Sequence, residues 1–294
     1  MKICIIGPGK VGTALGEAFQ KAGYEIVGIV SEKESNIKNL PQSGIMIPKD
    51  YRPRACKNIK ITEREQKKLK ELQRCIKLTG CKTWSDNPRD LVKKADLVLI
   101  TVPDSEIKKV VSNIRSAIKS DTILVHTSGS LSASVLGIKN GIAMHPISAF
   151  VGGKLLLGTY FSIEGNIKIG KKLVCSIGGI PIVISPKLKK ALYHSGLNFG
   201  AAYFVTLLSI GKELLELSGF KESEKVILSL AESVLANAKQ FGIKNSFTGP
   251  IAREDKRIVG EELNVVKESA PAVAEIYELL IKETKKCLKK SKGK

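Results

Sequence analysis

The sequence predicts an α/β domain over residues 1–185, followed by an all-helical domain over residues 186–294. Short apolar runs of strand length alternate with helical patterns in the first part, as expected for a parallel sheet covered by helices. Beyond residue 186 the strand patterns give way to long helical patterns. A glycine-rich turn joins the first predicted strand to the first predicted helix, and the first domain is organised around it.

The glycine-rich turn fits the pattern G-x-G-x-x-G at Gly7, Gly9 and Gly12. In this pattern the first glycine permits a tight turn, the second lets the backbone approach a pyrophosphate, and the third lets the helix pack closely on the strand. Free N–H groups at the helix start, at Lys10 and Val11, would bind that pyrophosphate. Because strand, turn and helix follow in the required order, the sequence predicts a Rossmann-type dinucleotide-binding domain. The alternative is a structural turn without a ligand.

The choice of cofactor depends on the end of the second predicted strand, residues 25–30, which meets the adenine ribose in this fold. Ser31 at the ribose with Lys33 near a 2′-phosphate would favour NADP, whereas an inward-pointing Glu32 would favour NAD. Of the two, we prefer NADP. Residues 34–61 carry several prolines and no clear period, which indicates an irregular insertion near the adenine end of the site.

Further site residues are expected at the carboxyl ends of other strands, where ligands bind in open α/β sheets. Apolar runs predict strands over residues 96–102, 122–127 and 141–145. The residues at or after these ends that we expect to contact the cofactor are Val102, Pro103, Thr127 and Ser128. His126 and His145 lie at the same ends, and they are either substrate-binding residues or structural histidines whose nitrogens are satisfied within the protein.

The first helical stretch, residues 187–217, is apolar around most of its circumference, which is typical of a buried helix. Its polar exceptions Lys190, His194 and Asn198 are spaced four residues apart and share one face. Buried polar groups need partners, so this stripe is expected to meet other polar groups. Further helices are expected over about residues 222–241, 252–269 and 272–290.

The chain of 294 residues carries a formal net charge of +20, from 48 lysines and arginines against 28 acidic residues. Such a charge is compatible with nucleic-acid binding, but no aromatic residues interleave with the lysine runs to stack on bases. We therefore expect a lysine-rich surface without a nucleic-acid partner, and a field that attracts a small anionic substrate and an anionic cofactor. No apolar run reaches membrane-spanning length, so no membrane contact is expected.

The six cysteines are scattered along the chain without paired spacing. This pattern is typical of reduced thiols in a cytoplasmic protein, and it does not favour a metal site. A zinc site built from the three histidines is likewise disfavoured, because they come from separate predicted elements.

Six stretches together resemble a known family: the Rossmann-like oxidoreductases that carry a C-terminal domain of unknown function 2520. These proteins are distant relatives of pyrroline-5-carboxylate reductase and ketopantoate reductase. The matching stretches run in family order along most of the chain. They are IIGPGKVGTALG (5–16), ADLVLITVPDSEI (95–107), HTSGSLSASVL (126–136), MHPISAF (144–150), KALYHSGLNFGAAYFVTLL (190–208) and FTGPIAREDKRIV (247–259).

The resemblance implies a nicotinamide-dependent reductase whose helical half helps to form a homodimer. Its substrate would be a small 2-keto acid of the ketopantoate type or, as second choice, a cyclic imine. The chain departs from the family at Ala202, where relatives usually carry asparagine before the residue matching Tyr203. Asn198, one turn earlier, is a candidate to supply the missing amide. This departure keeps open a second function class, a catalytically silent dinucleotide-binding sensor or scaffold.

Reduction of a carbonyl needs a hydride from the cofactor and a proton for the developing alkoxide. Lys190 is the predicted acid, His194 is the second candidate, and Asn198 is expected to hold the substrate oxygen. Arg253 is expected to bind a substrate carboxylate, helped by Thr248. The alternatives are a solvent-exposed Lys190 and an Arg253 engaged in a surface salt bridge.

Overall fold

The computed structural model describes residues 1–31, 63–150 and 153–292. The predicted insertion at residues 34–61 lies outside these ranges. The chain divides into two compact units, Met1–Leu197 and Asn198–Lys294. The first unit contains a sheet and the second is helical, which confirms the predicted fold class.

The first unit is built on one sheet with the strand order β3-β2-β1-β4-β5-β6-β7-β8. All neighbouring strands are parallel except β6 and β7, which pair antiparallel. The first strand therefore lies inside the sheet, with β2 and β3 on one side of it and β4 to β8 on the other. The strands are β1 (Lys2–Ile6), β2 (Glu25–Val30), β3 (Trp84–Ser85), β4 (Leu97–Ile100), β5 (Ile123–His126), β6 (Gly141–Pro146), β7 (Tyr160–Gly165) and β8 (Ile180–Val183).

Helices cover both faces of this sheet, because alternate residues of the apolar strands point to opposite faces. Ile3 and Ile5 join a core that includes Leu15 of the first helix, whereas Cys4 and Ile6 join a second core on the other face. The helices of the first unit are α1 (Lys10–Lys21), α2 (Glu63–Thr79), α3 (Pro88–Val92), α4 (Asp104–Ile114), α5 (Ile167–Ser176) and most of α6 (Lys190–Phe199). The strand β3 and the helices α3 and α5 were not predicted.

The second unit contains α7 (Ala202–Leu217), α8 (Ser223–Phe241), α9 (Gly249–Ala252), α10 (Lys256–Ser269) and α11 (Pro271–Lys292). The prediction of one continuous helix over residues 187–217 is wrong. The helix is interrupted at Gly200 and Ala201, where Ala201 has φ −128° and ψ −98°. Glycine is a poor residue for a helix interior because it loses the most backbone entropy on folding.

The predicted burial of this helical stretch is also wrong for the single chain. Neither α6 nor α7 contains a fully buried residue. Phe199 remains 71% exposed and Val205 64% exposed. The apolar pattern is present in the sequence, but several of its large side chains stay exposed in the part of the chain that the structure describes.

Three cysteines, Cys4, Cys75 and Cys81, are buried in the first unit, while Cys175 and Cys287 are exposed. Burial raises the pKa of the Cys4 and Cys75 thiols to about 12. Across the described ranges, no group of three or more histidine, cysteine, aspartate or glutamate side chains is arranged to hold a metal ion. In the same part of the chain, no helix is long and apolar enough to cross a membrane.

Candidate active site

A cavity of about 740 Å³ lies in the first unit, along the carboxyl ends of the parallel strands. At one end it is lined by the glycine turn and by the end of β2, and at the other by the residues that follow β4 and β5 and by two histidines. The predicted cofactor residues that line it are Gly7, Gly9, Val11, Ser31, Val102, Pro103, Thr127 and Ser128. Lys10 is exposed at the start of α1 and is not among the lining residues, and Lys33 lies outside the described residues.

The glycine turn has the geometry that a dinucleotide requires. Gly7 has φ +99°, and a Cβ there would lie 2.9 Å from the backbone of Thr101. A Cβ on Gly12 would lie 2.2 Å from the carbonyl oxygen of Gly7, so only glycine allows α1 to approach β1 this closely. A Cβ on Gly9 would meet no atom within 4 Å, which leaves its backbone open to the cavity. Because the first turn of α1 has no side-chain cap and no acidic residue, its N–H groups suit a pyrophosphate.

The end of β2 marks the position of the adenine ribose in this fold. Ser31 lies there with 7% exposure and donates its backbone N–H to Ser85 across a distance of 3.2 Å. Arg64 and Lys68 of α2 line the same cavity, as does Glu71. These three residues were not predicted to lie at the cofactor site, because α2 follows β2 only after the long insertion.

A carboxylate lies at the start of α4, beside the other end of the cavity. Asp104 Oδ2 accepts hydrogen bonds from Ser128 Oγ at 2.7 Å and from Ser130 Oγ at 2.5 Å. Both Asp104 and Ser128 line the cavity. The sequence analysis predicted Ser128 but missed Asp104, which lies next to the predicted contact Pro103.

Behind this end of the cavity lies a buried ion pair between Lys190 of α6 and Glu164 of β7. Lys190 Nζ is 2.9 Å from Glu164 Oε2, and the two side chains are 12% and 5% exposed. Lys190 is therefore not the solvent-exposed lysine of the alternative reading. Apart from this ion pair, Lys190 Nζ has no hydrogen-bond partner of good geometry among the described residues.

The Glu164 carboxylate is held on its other side by the segment after β5. Glu164 Oε1 accepts hydrogen bonds from Ser132 Oγ and, at 3.2 Å, from the backbone N–H of Ala133. Burial alone would raise the pKa of Glu164, but the hydrogen bonds from Ser132 and Lys190 outweigh it and hold the pKa below its usual value. The sequence analysis missed Glu164, although an acidic residue in an apolar strand pattern is a recognisable signal.

His126 is fully buried, and both of its ring nitrogens are engaged by the backbone. Its Nδ1 accepts from the N–H of Ser128 at 3.2 Å, which leaves Nε2 to donate to the carbonyl oxygen of Ser132 at 3.2 Å. Burial lowers its pKa to about 4, so the ring is neutral near pH 7. This geometry favours the structural role, which the sequence left open beside a substrate-binding role.

His145 and His194 both line the cavity, with their ring centroids 6.2 Å apart. His145 Nδ1 lies 3.1 Å from the hydroxyl of Tyr193, and burial with neighbouring positive charge lowers its pKa to about 4. A Cβ on Gly129 would come within 2.8 Å of His194 and 2.9 Å of His145. Gly129 is therefore needed for the backbone to approach both rings.

The remaining predicted site residues belong to the second unit. Asn198 is half-buried near the end of α6, Thr248 precedes α9 without capping it, and Arg253 is exposed where α9 ends. The structure brings Lys190, His145 and His194 together in the first unit. Asn198, Thr248 and Arg253 belong to the second unit, which is described by itself.

Two family matches divide the chain in the predicted order. Residues 2–143 match the N-terminal domain of NAD-dependent glycerol-3-phosphate dehydrogenase, and residues 159–284 match the domain of unknown function 2520. No curated protein matches the chain.

Solved structures of low sequence identity share the fold over almost the whole chain. A candidate NADP oxidoreductase from Bacteroides fragilis has a TM-score of 0.72 at 18% identity, covering 97% of this chain and 98% of that chain. A protein from Thermotoga maritima has a TM-score of 0.68 at 21% identity, covering 99% of both chains. An imine reductase variant from Myxococcus stipitatus in complex with NAD⁺ has a TM-score of 0.54 at 15% identity, covering 97% of this chain and 93% of that chain.

The family matches and the glycine-turn geometry confirm the resemblance drawn from the sequence motifs. The chain combines a dehydrogenase-type Rossmann domain with a C-terminal domain of unknown function 2520.

Proposed function

We propose that the protein is an NADP(H)-dependent reductase acting on the C=N bond of a small cyclic imine. The observation that carries this proposal is the buried Lys190–Glu164 pair, which lies behind a cavity that begins at a dinucleotide-type glycine turn. A cation held in a buried position beside a cofactor cavity suits proton donation or charge stabilisation during hydride transfer.

When bound, the nicotinamide cofactor supplies the hydride. Lys190 holds a proton on Nζ, and its N–H groups that do not face Glu164 are the donors proposed for the substrate nitrogen. Glu164 orients that ammonium and is itself fixed by Ser132. The neutral rings of His126 and His145 leave Lys190 as the principal cation of this cluster. His194 is the second candidate for the acid.

The charges that line the cavity support an imine over an acid. Among the described lining residues, the lysine and arginine side chains are Arg64 and Lys68, on the helix that follows the insertion. The histidine end carries the carboxylate of Asp104 instead, which favours a substrate that becomes positively charged on protonation. A 2-keto acid is the second candidate substrate, because the Lys190 ammonium group could also donate its proton to a developing alkoxide.

The proposed preference for NADP rests on Ser31. An acidic residue at the end of β2 would bind the ribose hydroxyls of NAD and repel a 2′-phosphate. Ser31 directly follows β2 and lines the cavity, which supports NADP, whereas Glu32, the residue that would favour NAD, lies outside the described residues.

Calorimetric titration with NADPH and NADH, followed by assays with cyclic imines and 2-keto acids, tests the proposal. Lys190→Ala is expected to reduce turnover about 100-fold or more while leaving NADPH affinity unchanged. The neighbouring variant Lys189→Ala, which removes an exposed lysine, is the matched control. Gly9→Asp is expected to abolish cofactor binding through its bulk and its charge.

If the protein binds neither cofactor, the reductase proposal is wrong. A third outcome is that NADPH binds, no tested imine or keto acid is turned over, and Lys190→Ala leaves NADPH affinity unchanged. This outcome would favour the catalytically silent sensor or scaffold.

We also propose that the protein is a homodimer formed through the helical unit. In that unit Val205 of α7 is 64% exposed and Leu230 of α8 is 58% exposed, and exposed apolar patches of this kind mark association surfaces. Leu230→Lys is expected to shift the sedimentation coefficient from dimer to monomer. Leu157→Lys, which changes an 88% exposed leucine of the first unit, is the control and is expected to leave the dimer intact.

A further inference from the structure

The helix α2 holds its amino-terminal half in a defined position, because its other half is anchored in the core. Leu72 and Cys75 are buried. Thr79 packs against α1, where a Cβ on Gly16 would lie 2.9 Å from the Thr79 methyl group. A helix rises about 1.5 Å per residue, so Arg64 lies about 12 Å along the axis from Leu72. The packing of the second half of α2 therefore fixes the positions of the residues near its start.

Two cations at the start of α2 share one face. Arg64 and Lys68 are four residues apart, a spacing that places their side chains next to each other. Both line the cofactor cavity together with Ser31, and Lys68 is half-buried. Two other lysines of the same helix, Lys67 and Lys70, line a separate depression of about 470 Å³ instead.

We infer that Arg64 and Lys68 bind the 2′-phosphate of NADP and make α2 the element that distinguishes NADP from NAD. This inference rests on the proposed cofactor site. Ser31 marks the ribose position at the end of β2. A phosphate group on that ribose would enter the cavity that Arg64 and Lys68 line.

The chemistry of the two side chains fits this ligand. A guanidinium group binds phosphate oxygens with two parallel hydrogen bonds, whereas an ammonium group acts as a compact point charge. Glu71 also lines the cavity, one turn after Lys68, so α2 presents two cationic side chains and one carboxylate to it. Attraction to the two cationic groups favours a phosphate dianion over an uncharged ribose hydroxyl.

Calorimetric titration of the full-length protein with NADPH, NADH, 2′,5′-ADP and 5′-ADP tests the inference without requiring a substrate. Removing one charged hydrogen-bond partner is expected to weaken NADPH and 2′,5′-ADP binding about 10- to 100-fold in Arg64→Ala and in Lys68→Ala. NADH and 5′-ADP lack the 2′-phosphate, so their affinities are expected to stay within about twofold of the parent.

Lys67→Ala and Lys70→Ala are the matched controls, because each removes one positive charge from the same helix outside the cofactor cavity. They are expected to leave all four affinities unchanged. If these controls weaken NADPH binding as much as Arg64→Ala does, the loss reflects long-range attraction by the basic surface as a whole, and the inference is wrong.

Two further outcomes separate this inference from the proposed function. If the parent binds NADH as tightly as NADPH, α2 does not discriminate, and the proposed function keeps its reductase activity but loses its preference for NADP. If Arg64→Ala weakens NADH and NADPH equally, the two cations do not read the 2′-phosphate. Failure of the parent to bind any of the four ligands would overturn the cofactor site itself.

Discussion

The two units of the chain differ in where their apolar side chains lie. In the first unit Ile3, Leu15 and Leu97 are completely buried between the sheet and its helices. In the second unit α7 has no buried residue, and Leu230 of α8 is more than half exposed. The first unit therefore buries its apolar strands, whereas several large apolar side chains of the second unit stay exposed in the described part of the chain.

The same contrast applies to charge. The first unit buries the Lys190–Glu164 pair, whereas the pair between Lys267 and Glu278 in the second unit is 49% and 62% exposed. All three histidines of the chain also lie in the first unit. Matched substitutions in the two units therefore test whether burial causes these differences.

The largest difference is expected between Glu164→Gln and Glu278→Gln. Removing the Glu164 charge leaves the Lys190 ammonium buried without its partner, which is expected to lower the free energy of unfolding by about 3 to 5 kcal/mol. Removing the Glu278 charge breaks an exposed pair and is expected to cost about 0 to 1 kcal/mol. Urea unfolding followed by Trp84 fluorescence and by ellipticity measures both, since the single tryptophan lies in the first unit. Equal losses would show that the first pair is solvated.

Next in size is the difference between two helical glycines. Gly12→Ala places a Cβ 2.2 Å from a backbone oxygen and is expected to cost about 3 kcal/mol and to abolish cofactor binding. Gly260→Ala in α10 meets no atom within 4 Å and is expected to stabilise its helix by up to about 1 kcal/mol. Thermal and urea unfolding measure both variants. A loss of stability in Gly260→Ala would reveal a close neighbour from outside the described residues.

The smallest effect is expected from mild acid. The folded pKa of His126 is lowered to about 4 from 6.5, so between these values the unfolded chain binds a proton that the folded chain does not. Stability is therefore full above pH 6.5 and is lost as the pH falls, by about 1 kcal/mol for this histidine between pH 6 and pH 5. Urea unfolding of the first unit, followed by Trp84, is expected to show this slope.

Two controls accompany the pH series. His126→Asn removes the titrating ring and is expected to reduce the slope, with the remainder due to His145, whose pKa is lowered in the same direction. The second unit contains no histidine, so its helical signal is expected to stay constant between pH 6 and pH 5. If the free energy of unfolding of His126→Asn falls with pH as steeply as that of the parent, burial of His126 is not the cause of the pH dependence.

The fold was predictable where local pattern and tertiary environment agree. The apolar run before Gly7 and the glycine spacing require a buried strand and a close helix, and the structure contains both. The helical pattern at residues 187–217 misled the prediction in two respects. Glycine at position 200 interrupts the helix, and apolar composition alone cannot say whether the covering surface comes from the same chain.

The site was predictable only where its residues lie beside a recognised motif. Ser128 and Lys190 belong to quoted stretches, but Glu164 comes from the antiparallel strand β7 and reaches Lys190 only through the pairing of that strand with β6. Arg64 and Lys68 join the cavity through the packing of α2 on α1. Such contacts depend on strand order and helix packing, which no spacing along the sequence encodes.

The burial of the three thiols in the first unit has a practical consequence for labelling. The thiolate is the reactive form of cysteine, and burial raises the pKa of all three thiols, to about 12 for Cys4 and Cys75, so these thiols react very slowly near neutral pH. Cys175 on α5 and Cys287 on α11 are exposed, one in each unit. Once Cys56, which lies outside the described residues, is replaced by serine, these two positions accept a fluorescent donor and acceptor. Energy transfer between them would then report any change in the separation of the two units when NADPH binds.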